Sequence, residues 1–305
     1  MLHGINKKEI KYKMKKIAIV VDSNSGITPK EGKHLGITVV PMPFIIGDDV
    51  LYEEVDLKQE EFYRLQREGV RITTSQPNIN EIVELWTELL KTHDQILHFP
   101  MSSALSQSCE TAQKFAEEQF PGKVFVVDNK RISITLKASV FDALKLVSEG
   151  LDAKEIKEYL ENDGLNSTIY LVVDTLKYLK QGGRVTPAAA AIGTVLNIKP
   201  ILTIQGGKLD KFAMVTNIKA AKKKMISALK KDIETRFAKF VQAGEFAIAV
   251  AHTTNDENAE IFKQELIKEF PNIPFTYVDP LSLSIATHTG PRVLAVGGYH
   301  IYKKD

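Results

Sequence analysis

Residues 17–21 read IAIVV and are followed directly by Asp22-Ser23. An unbroken run of apolar, mostly β-branched residues predicts a strand that is buried on both faces, as in a parallel sheet covered by helices. The same order of apolar run and polar loop returns at residues 95–101 (QILHFPM) and 123–128 (KVFVVD). A repeated strand, loop and helix order favours a parallel sheet with helices packed on its faces.

The segments around these strands predict the other elements of the first half. Residues 38–46 (TVVPMPFII) are extended, and their two prolines indicate an edge or irregular strand. Asp152 and Glu155 have the spacing of a capping box at the start of a helix. Helices are predicted at residues 58–68, 78–93, 106–119, 134–148 and 152–162.

The second half of the sequence has a different pattern. Residues 201–205 and 208–215 flank Gly206-Gly207, which is typical of a β-hairpin. The doublets Gly182-Gly183 and Gly297-Gly298 are also predicted to be turns. Further strands are predicted at residues 168–173, 246–251 and 275–278, and helices at residues 217–242 and 258–270. The hairpin indicates a mixed or antiparallel sheet.

These patterns predict a two-lobed α/β fold. Residues 1–15 are basic and polar, and we expect a disordered or extended arm. Residues 16–163 are expected to form a Rossmann-like lobe with a parallel sheet. The stretch DGLNS at residues 163–167 marks the boundary, and residues 164–305 are expected to form a second α/β lobe with the mixed or antiparallel sheet.

The composition is that of an ordinary globular protein without a strongly charged partner. Hydrophobic residues make up 44% of the chain, charged residues 26%, and the net charge is +2. This balance argues against a nucleic-acid partner. Cys109 is the single cysteine, which fits a reducing cytoplasm. We expect no stable membrane insertion, because no apolar run approaches ~20 residues, although transient contact with a membrane surface is compatible with the sequence.

Motifs of self-sufficient catalysis are absent from the sequence. It contains no G-x-x-x-x-G-K-[ST] loop, no strand-bound G-x-G-x-x-G and no H-E-x-x-H. It also lacks the G-x-S-x-G elbow of the α/β-hydrolases. The sequence therefore predicts no cofactor, no metal and no catalysis by this chain alone.

Two hydroxyl-rich stretches precede predicted helices. One is Thr73-Thr74-Ser75-Gln76-Pro77, and the other runs from Ser102 to Ser108 (SSALSQS). Helix capping explains each stretch taken singly. Ligands of open α/β sheets, however, bind beyond the carboxyl ends of the strands, where helix N-termini favour anions. Two such stretches facing one crevice would form a neutral pocket suited to a carboxylate.

Three further sites carry polar residues in glycine-containing loops. Asp22 follows the first strand, and its negative charge favours a turn or an internal hydrogen bond over contact with an anion. Arg184 follows Gly182-Gly183, and His288 precedes Thr289-Gly290 in a predicted loop. A surface cation and a structural histidine are the simpler interpretations of these last two residues.

At these residues the chain resembles the DegV family over nearly its whole length from Lys16 onward. Each matching motif is weak singly, but the ordered set is specific. The motifs are Asp22-Ser23-x-Ser25, Thr74-Ser75-Gln76-Pro77, Ser102-Ser103-x-Leu105-Ser106, Gly182-Gly183-Arg184, Lys199-Pro200 and His288-Thr289-Gly290.

The resemblance implies a carrier similar to the fatty-acid-binding subunit of bacterial fatty acid kinase. In that family the acyl chain of one long-chain fatty acid lies in a tunnel, and a separate ATP-dependent kinase subunit phosphorylates the carboxyl group. Thr74 and Ser106 match the hydroxyls that hold the carboxylate, and Ser75 and Ser103 stand beside them. Arg184 and His288 match residues near the carboxyl end that support phosphorylation or partner docking.

The chain also departs from the family pattern. Gln107-Ser108 replaces Ser-Gly-Thr, and Asn129 replaces a serine. The Val-Arg-Thr segment reads Met214-Val215-Thr216, so Val215 stands where the family has an arginine linked to kinase docking. Lysines of the following helix, Lys219 and Lys222 to Lys224, are candidate substitutes.

Two other functions compete with the carrier. One is a serine-dependent acyl hydrolase or transferase that uses Ser106 or Ser23 with His288. The other is a DNA-linked regulator with a basic arm, which the near-neutral charge disfavours.

Overall fold

A computed structural model describes residues 15–53, 55–192 and 198–304. The predicted arm, residues 1–15, lies outside these ranges except for Lys15, whose ammonium pairs with Asp152 at 3.1 Å. The described strands are β1 (Ile17–Asp22), β2 (Thr38–Val40), β3 (Pro43–Ile46), β4 (Asp49–Tyr52), β5 (Ile72–Thr74), β6 (Gln95–Phe99), β7 (Val124–Val126), β8 (Ser167–Val172), β9 (Lys199–Ile204), β10 (Asp210–Val215), β11 (Phe246–His252), β12 (Phe275–Pro280) and β13 (Leu294–His300).

Helices connect most of these strands. They are α1 (Pro29–Leu35), α2 (Gln59–Arg67), α3 (Ile79–Leu89), α4 (Ser108–Gln119), α5 (Ser133–Ser148), α6 (Ala153–Asp163), α7 (Lys177–Gly182), α8 (Pro187–Ala190), α9 (Ile218–Glu234), α10 (Ala238–Gln242), α11 (Asp256–Glu269) and α12 (Leu283–Thr289). No helix in the described part of the chain has both the length and the apolar composition needed to cross a bilayer.

The first sheet is parallel throughout, as the sequence predicts. Its strand order is β2-β1-β6-β7. Five of the six residues of β1 and all of β6 are buried, because helices cover both faces. The capping box of Asp152 and Glu155 opens α6 as predicted. The Rossmann-like half of the fold prediction is therefore confirmed.

The segment predicted at residues 38–46 as an edge or irregular strand is confirmed as irregular, since it forms two strands instead of one continuous strand. It divides at Pro41 into β2, an edge strand of the first sheet, and β3, which joins β4 and β5 in a small antiparallel sheet. Proline cannot donate to a strand ladder, which favours a break at this point. This small sheet determines where Thr74 lies, because Thr74 is the last residue of β5.

The second sheet is mixed, which confirms the predicted second α/β arrangement. Its order is β10-β9-β8-β13-β11-β12, and the strands are antiparallel except for the β11 and β12 pair. The predicted hairpin is formed by β9 and β10. Along β8, Ile169 and Leu171 pack on one face while Tyr170 and Val172 pack on the other, so both faces of the sheet are covered.

The turn predicted at Gly297-Gly298 is wrong, because both glycines lie inside the buried central strand β13. A Cβ atom at Gly297 would lie 2.7 Å from Ile134, and one at Gly298 would lie 2.8 Å from Leu229 and Phe246. Close packing on both faces of the sheet, rather than a turn, accounts for the doublet.

The single helix predicted at residues 217–242 is also wrong. It is interrupted after Glu234, so α9 and α10 are separate helices. The interruption places Phe237 in the core, where its ring stacks on Phe246 with centroids 4.9 Å apart.

Helix α5 lies between the two large sheets. Ile134 and Ala138 join the core of the mixed sheet, whereas Leu136 and Val140 join the core of the parallel sheet. One helix thus stabilises both halves. The division of the chain at residue 163 stays a prediction.

Candidate functional site

A cavity of about 520 Å³, hereafter the main cavity, lies beyond the carboxyl end of β6. Its wall includes residues of β5, the loop before α4, α7 and α12. The six residues that the sequence analysis assigns to the ligand or the partner line it: Thr74, Ser75, Ser103, Ser106, Arg184 and His288. Its size is that of a small-molecule site.

Thr74 and His288 are joined by a hydrogen bond between Oγ1 and Nε2, 2.9 Å long. Their local structures differ from the predicted ones. Thr74 ends a strand rather than lying in a loop that opens a helix, and His288 belongs to the last turn of α12 rather than to a loop. The antiparallel pairing of β5 with β3 carries Thr74 to α12.

Burial, together with the nearby positive charge of Arg184, lowers the pKa of His288 to about 4. The imidazole is therefore neutral near pH 7, and one ring nitrogen carries the proton. A neutral histidine here acts as a hydrogen-bonding group and not as a cation.

The Gly182-Gly183-Arg184 motif positions both Arg184 and His288. A Cβ atom at Gly182 would lie 2.1 Å from Nδ1 of His288, so the imidazole packs directly on the backbone of α7. Gly183 ends α7 with a φ of 68°, and the chain then turns toward the cavity. The Arg184 guanidinium donates to the carbonyl groups of Leu105 and Gly182. No carboxylate of the described chain pairs with it.

The hydroxyl group of Ser106 accepts a hydrogen bond at the start of a helix and keeps its own proton for donation. Its Oγ accepts a hydrogen bond from the backbone N–H of Ser108 at 3.2 Å, at the start of α4. The hydroxyl proton stays available to the cavity. The hydroxyl of Ser103 instead accepts from the ammonium of Lys130, and that of Ser75 donates to the carbonyl of Gln76.

The pair needed for a serine hydrolase is not hydrogen-bonded. Nε2 of His288 contacts Thr74, whereas Ser106 contacts the backbone of Ser108. Ser23 donates to a carboxylate oxygen of Glu53 at 3.0 Å and does not line the main cavity.

An apolar pocket of about 50 Å³ continues the main cavity toward the mixed sheet. The two share the residues Leu105, Ile132, Leu209, Ile285 and Thr289. The deeper wall comes from the core between α5 and the sheet and includes Ile169, Leu171 and Ala295. Polar side chains thus lie at one end of the site and aliphatic ones at the other.

Comparison with known proteins places this chain in a family. Residues 16–300 match the model of the DegV family of uncharacterised proteins. This chain belongs to the DegV family. A DegV domain-containing protein of Streptococcus pneumoniae serotype 4 is 31% identical over 285 residues, which cover 93% of this chain and 98% of the relative.

Solved DegV structures share the fold. A fatty-acid-binding DegV family protein from Thermus thermophilus matches with a TM-score of 0.85 and 27% identity, covering 94% of this chain and 100% of that chain. DegV of Bacillus subtilis, a fatty-acid-binding protein, matches with a TM-score of 0.81 and 26% identity, over 94% and 99% of the two chains.

In this DegV chain, Asn24 is a cavity residue that the sequence interpretation missed. Its Oδ1 accepts hydrogen bonds from Ser282 and Ser284, and its buried Nδ2 has no partner within the described residues. Its position directly after the first parallel strand could have indicated a ligand-site residue, because ligands of such sheets bind beyond the carboxyl ends of the strands. Asp22 in the same loop accepts from the backbone N–H of Met101 at 3.0 Å, the internal role predicted for it.

Replacing Gly182 with alanine is expected to displace His288 and break its hydrogen bond to Thr74. The added methyl group overlaps the imidazole, and we expect a loss of about 1–3 kcal/mol in the free energy of unfolding. Urea unfolding measures the loss, and imidazole NMR signals report the displacement. Gly207→Ala is the control, because nothing lies within 4 Å of its added Cβ. An unchanged His288 signal in Gly182→Ala would contradict this packing.

Proposed function

We propose that this DegV protein binds one long-chain fatty acid, with its carboxylate at Thr74 and Ser106 and its acyl chain directed into the apolar pocket. The observation that supports this proposal most is the polarity of the site. Hydroxyl, imidazole and guanidinium groups line one end, and aliphatic side chains line the other. The named ligands of the Thermus and Bacillus relatives agree with such a site.

The acyl chain supplies most of the affinity. Each buried methylene contributes about 0.8 kcal/mol, so a dozen contribute on the order of 10 kcal/mol before the ordering costs of binding. The shared wall of Leu105, Ile132 and Ile285 provides an apolar passage for the chain.

The polar end offsets the cost of removing a carboxylate from water, which is several kcal/mol without partners. Ser106 has a hydroxyl proton to donate. In the tautomer with the proton on Nε2, His288 donates to Thr74, which frees the Thr74 hydroxyl to donate to the carboxylate. Arg184 adds positive charge, and its guanidinium forms no ion pair with a carboxylate of the described chain.

Ser106→Ala tests the carboxylate site. A hydrogen bond to a charged group contributes about 1.5–3 kcal/mol, so fatty acid affinity should fall by roughly tenfold to a hundredfold. Oleate titration of delipidated protein measures it. Ser148→Ala is the matched control, because that exposed hydroxyl lies on α5 away from the cavity. Equal affinities of the two variants would remove Ser106 from the site.

We further propose that the bound carboxyl group is presented to a separate ATP-dependent kinase subunit, which forms the acyl phosphate. The family resemblance supports this role. Val215 replaces the arginine linked to docking, and Lys222 is paired with Glu265 at 2.6 Å. The exposed lysines Lys219, Lys223 and Lys224 on α9 remain for docking.

The kinase role has its own assay. The oleate-loaded protein, a bacterial fatty acid kinase subunit and ATP should yield acyl hydroxamate when the reaction is stopped with hydroxylamine. Absence of hydroxamate, under conditions in which the kinase's own carrier forms it, would contradict presentation by this chain while leaving fatty acid binding intact.

A further inference from the structure

A second large cavity, hereafter the basic cavity, lies behind the polar end of the main cavity. Its volume is about 500 Å³. Thr74, Arg184 and His288 line both cavities, so these three side chains form the wall between them. A carboxylate held at this wall would face the basic cavity on the side away from its acyl chain.

The charged residues that line the basic cavity are all positive in the described chain. Arg71, Lys177 and Arg184 line it, and no aspartate or glutamate is among its lining residues in the described chain. Arg71 and Lys177 are exposed, and neither forms an ion pair with a described carboxylate. Arg64 on neighbouring α2, by contrast, is paired with both Glu61 and Glu68.

Unpaired cations around a concave wall favour an anion with several oxygens. Arginine offers a planar fork that matches phosphate, and lysine adds a point charge. The ring of Tyr178, which also lines the cavity, has its centroid 5.8 Å from Nζ of Lys177. The hydroxyl of Thr74 and the side chain of Gln181 add neutral hydrogen-bonding groups.

We propose that the basic cavity receives the terminal phosphates of the phosphoryl donor, a nucleoside triphosphate brought by the kinase subunit, with Arg71 and Lys177 as their ligands. This inference rests on the proposed function. In the transfer, a carboxylate oxygen attacks the terminal phosphorus and forms the acyl–O–P bond. The bond from that phosphorus to its bridging oxygen breaks, and the nucleoside diphosphate leaves with the electron pair.

The positions of the two cavities suit the geometry of this step. The attacking and leaving oxygens must be roughly in line through phosphorus. Because the acyl chain extends into the apolar pocket, the donor has to approach from the opposite side, where the basic cavity lies. Arg184, in the shared wall, is placed to reduce repulsion between the carboxylate and the incoming phosphate.

Binding of inorganic tripolyphosphate, measured by calorimetry at low ionic strength, tests the assignment. Arg71→Gln combined with Lys177→Gln should weaken binding by at least about tenfold, since each charge-assisted hydrogen bond contributes roughly a tenfold change or more. Oleate retention should be unchanged, because neither residue lines the main cavity. The matched control combines Arg67→Gln with Lys114→Gln, which removes the same charge outside the basic cavity.

Three results would overturn the assignment: no binding to the unaltered protein, equal weakening in the control, or full binding in the Arg71 and Lys177 variant. Lipid content is measured on the same samples. A protein that holds tripolyphosphate through Arg71 and Lys177 but no fatty acid would refute the proposed function and keep the anion site. Oleate retention without tripolyphosphate binding would refute only the anion site.

Discussion

Replacing Ile285 with tryptophan is expected to abolish tight binding of long-chain fatty acids. Ile285 is half-buried on α12 and lines both the main cavity and the apolar pocket. An indole at this position would fill the passage that the acyl chain needs. Excluding about six methylenes removes about 5 kcal/mol, which is more than a thousandfold in affinity.

Chain length separates this effect from damage to the polar end. Octanoate, which does not need the deeper pocket, should bind Ile285→Trp within a few fold of its affinity for the unaltered protein. Ile261→Trp is the control, because that side chain is 45% exposed on α11. Titration with octanoate and oleate gives both affinities. Oleate binding of unaltered strength to Ile285→Trp would mean that the acyl chain takes another path.

Replacing Arg131 with alanine is expected to give the largest loss of stability. Arg131 is 1% exposed, and its guanidinium contacts a carboxylate oxygen of Asp163 at 2.8 Å and the carbonyl of Gly164 at 3.1 Å. Asp163 also contacts His300 at the end of β13. The substitution leaves Asp163 buried without its main cation, which costs about 3–5 kcal/mol.

Arg131→Ala should also disturb the wall of the main cavity. The carbonyl of Arg131 accepts from the backbone N–H of Ser102, and the next residue, Ile132, lines the cavity wall. Urea unfolding measures the stability, with Arg64→Ala as the control. Because Arg64 and its partners are about half exposed, its loss should destabilise the protein far less than the loss of Arg131. Equal midpoints for the two variants would rule out the buried pair as a major stabilising contact.

The sequence patterns correctly predicted those elements whose structure depends on residues that are close together in the sequence. The run at residues 17–21 is apolar on both faces and forms the buried strand β1, and Asp152 with Glu155 forms the capping box of α6. Gly206-Gly207 connects the β9 and β10 hairpin. In each of these places the decisive contacts lie within a few residues in the sequence or follow from continuous burial.

The errors arose where distant contacts decide the structure. Gly297-Gly298 has the composition of a turn, but the side chains that exclude a Cβ there come from α5, α9 and β11. The small antiparallel sheet pairs β3 with β5, whose paired residues Phe44 and Thr74 lie far apart in the sequence, so no tight turn sets their register. No local pattern predicts that pairing or the two-cavity wall that Thr74 helps to form.

The sequence predicted which residues would come together in the candidate site better than it predicted the contacts among them. Thr74, Ser106, Arg184 and His288, which the family resemblance selects, line one cavity, and their roles toward a ligand stay predictions. The sequence did not reveal that Gly182 makes room for the His288 ring. It also did not reveal the amide of Asn24, whose Nδ2 has no partner within the described residues, because the negative charge of Asp22 disfavoured an anion at that loop.

Quantitative analysis of the lipid released when the purified protein is denatured tests the fatty acid assignment most directly. After loading with oleate and removal of excess lipid, we expect one fatty acid for each chain, and a much smaller amount from Ile285→Trp. A protein that is folded and monodisperse but releases no fatty acid, even after loading, would contradict the account.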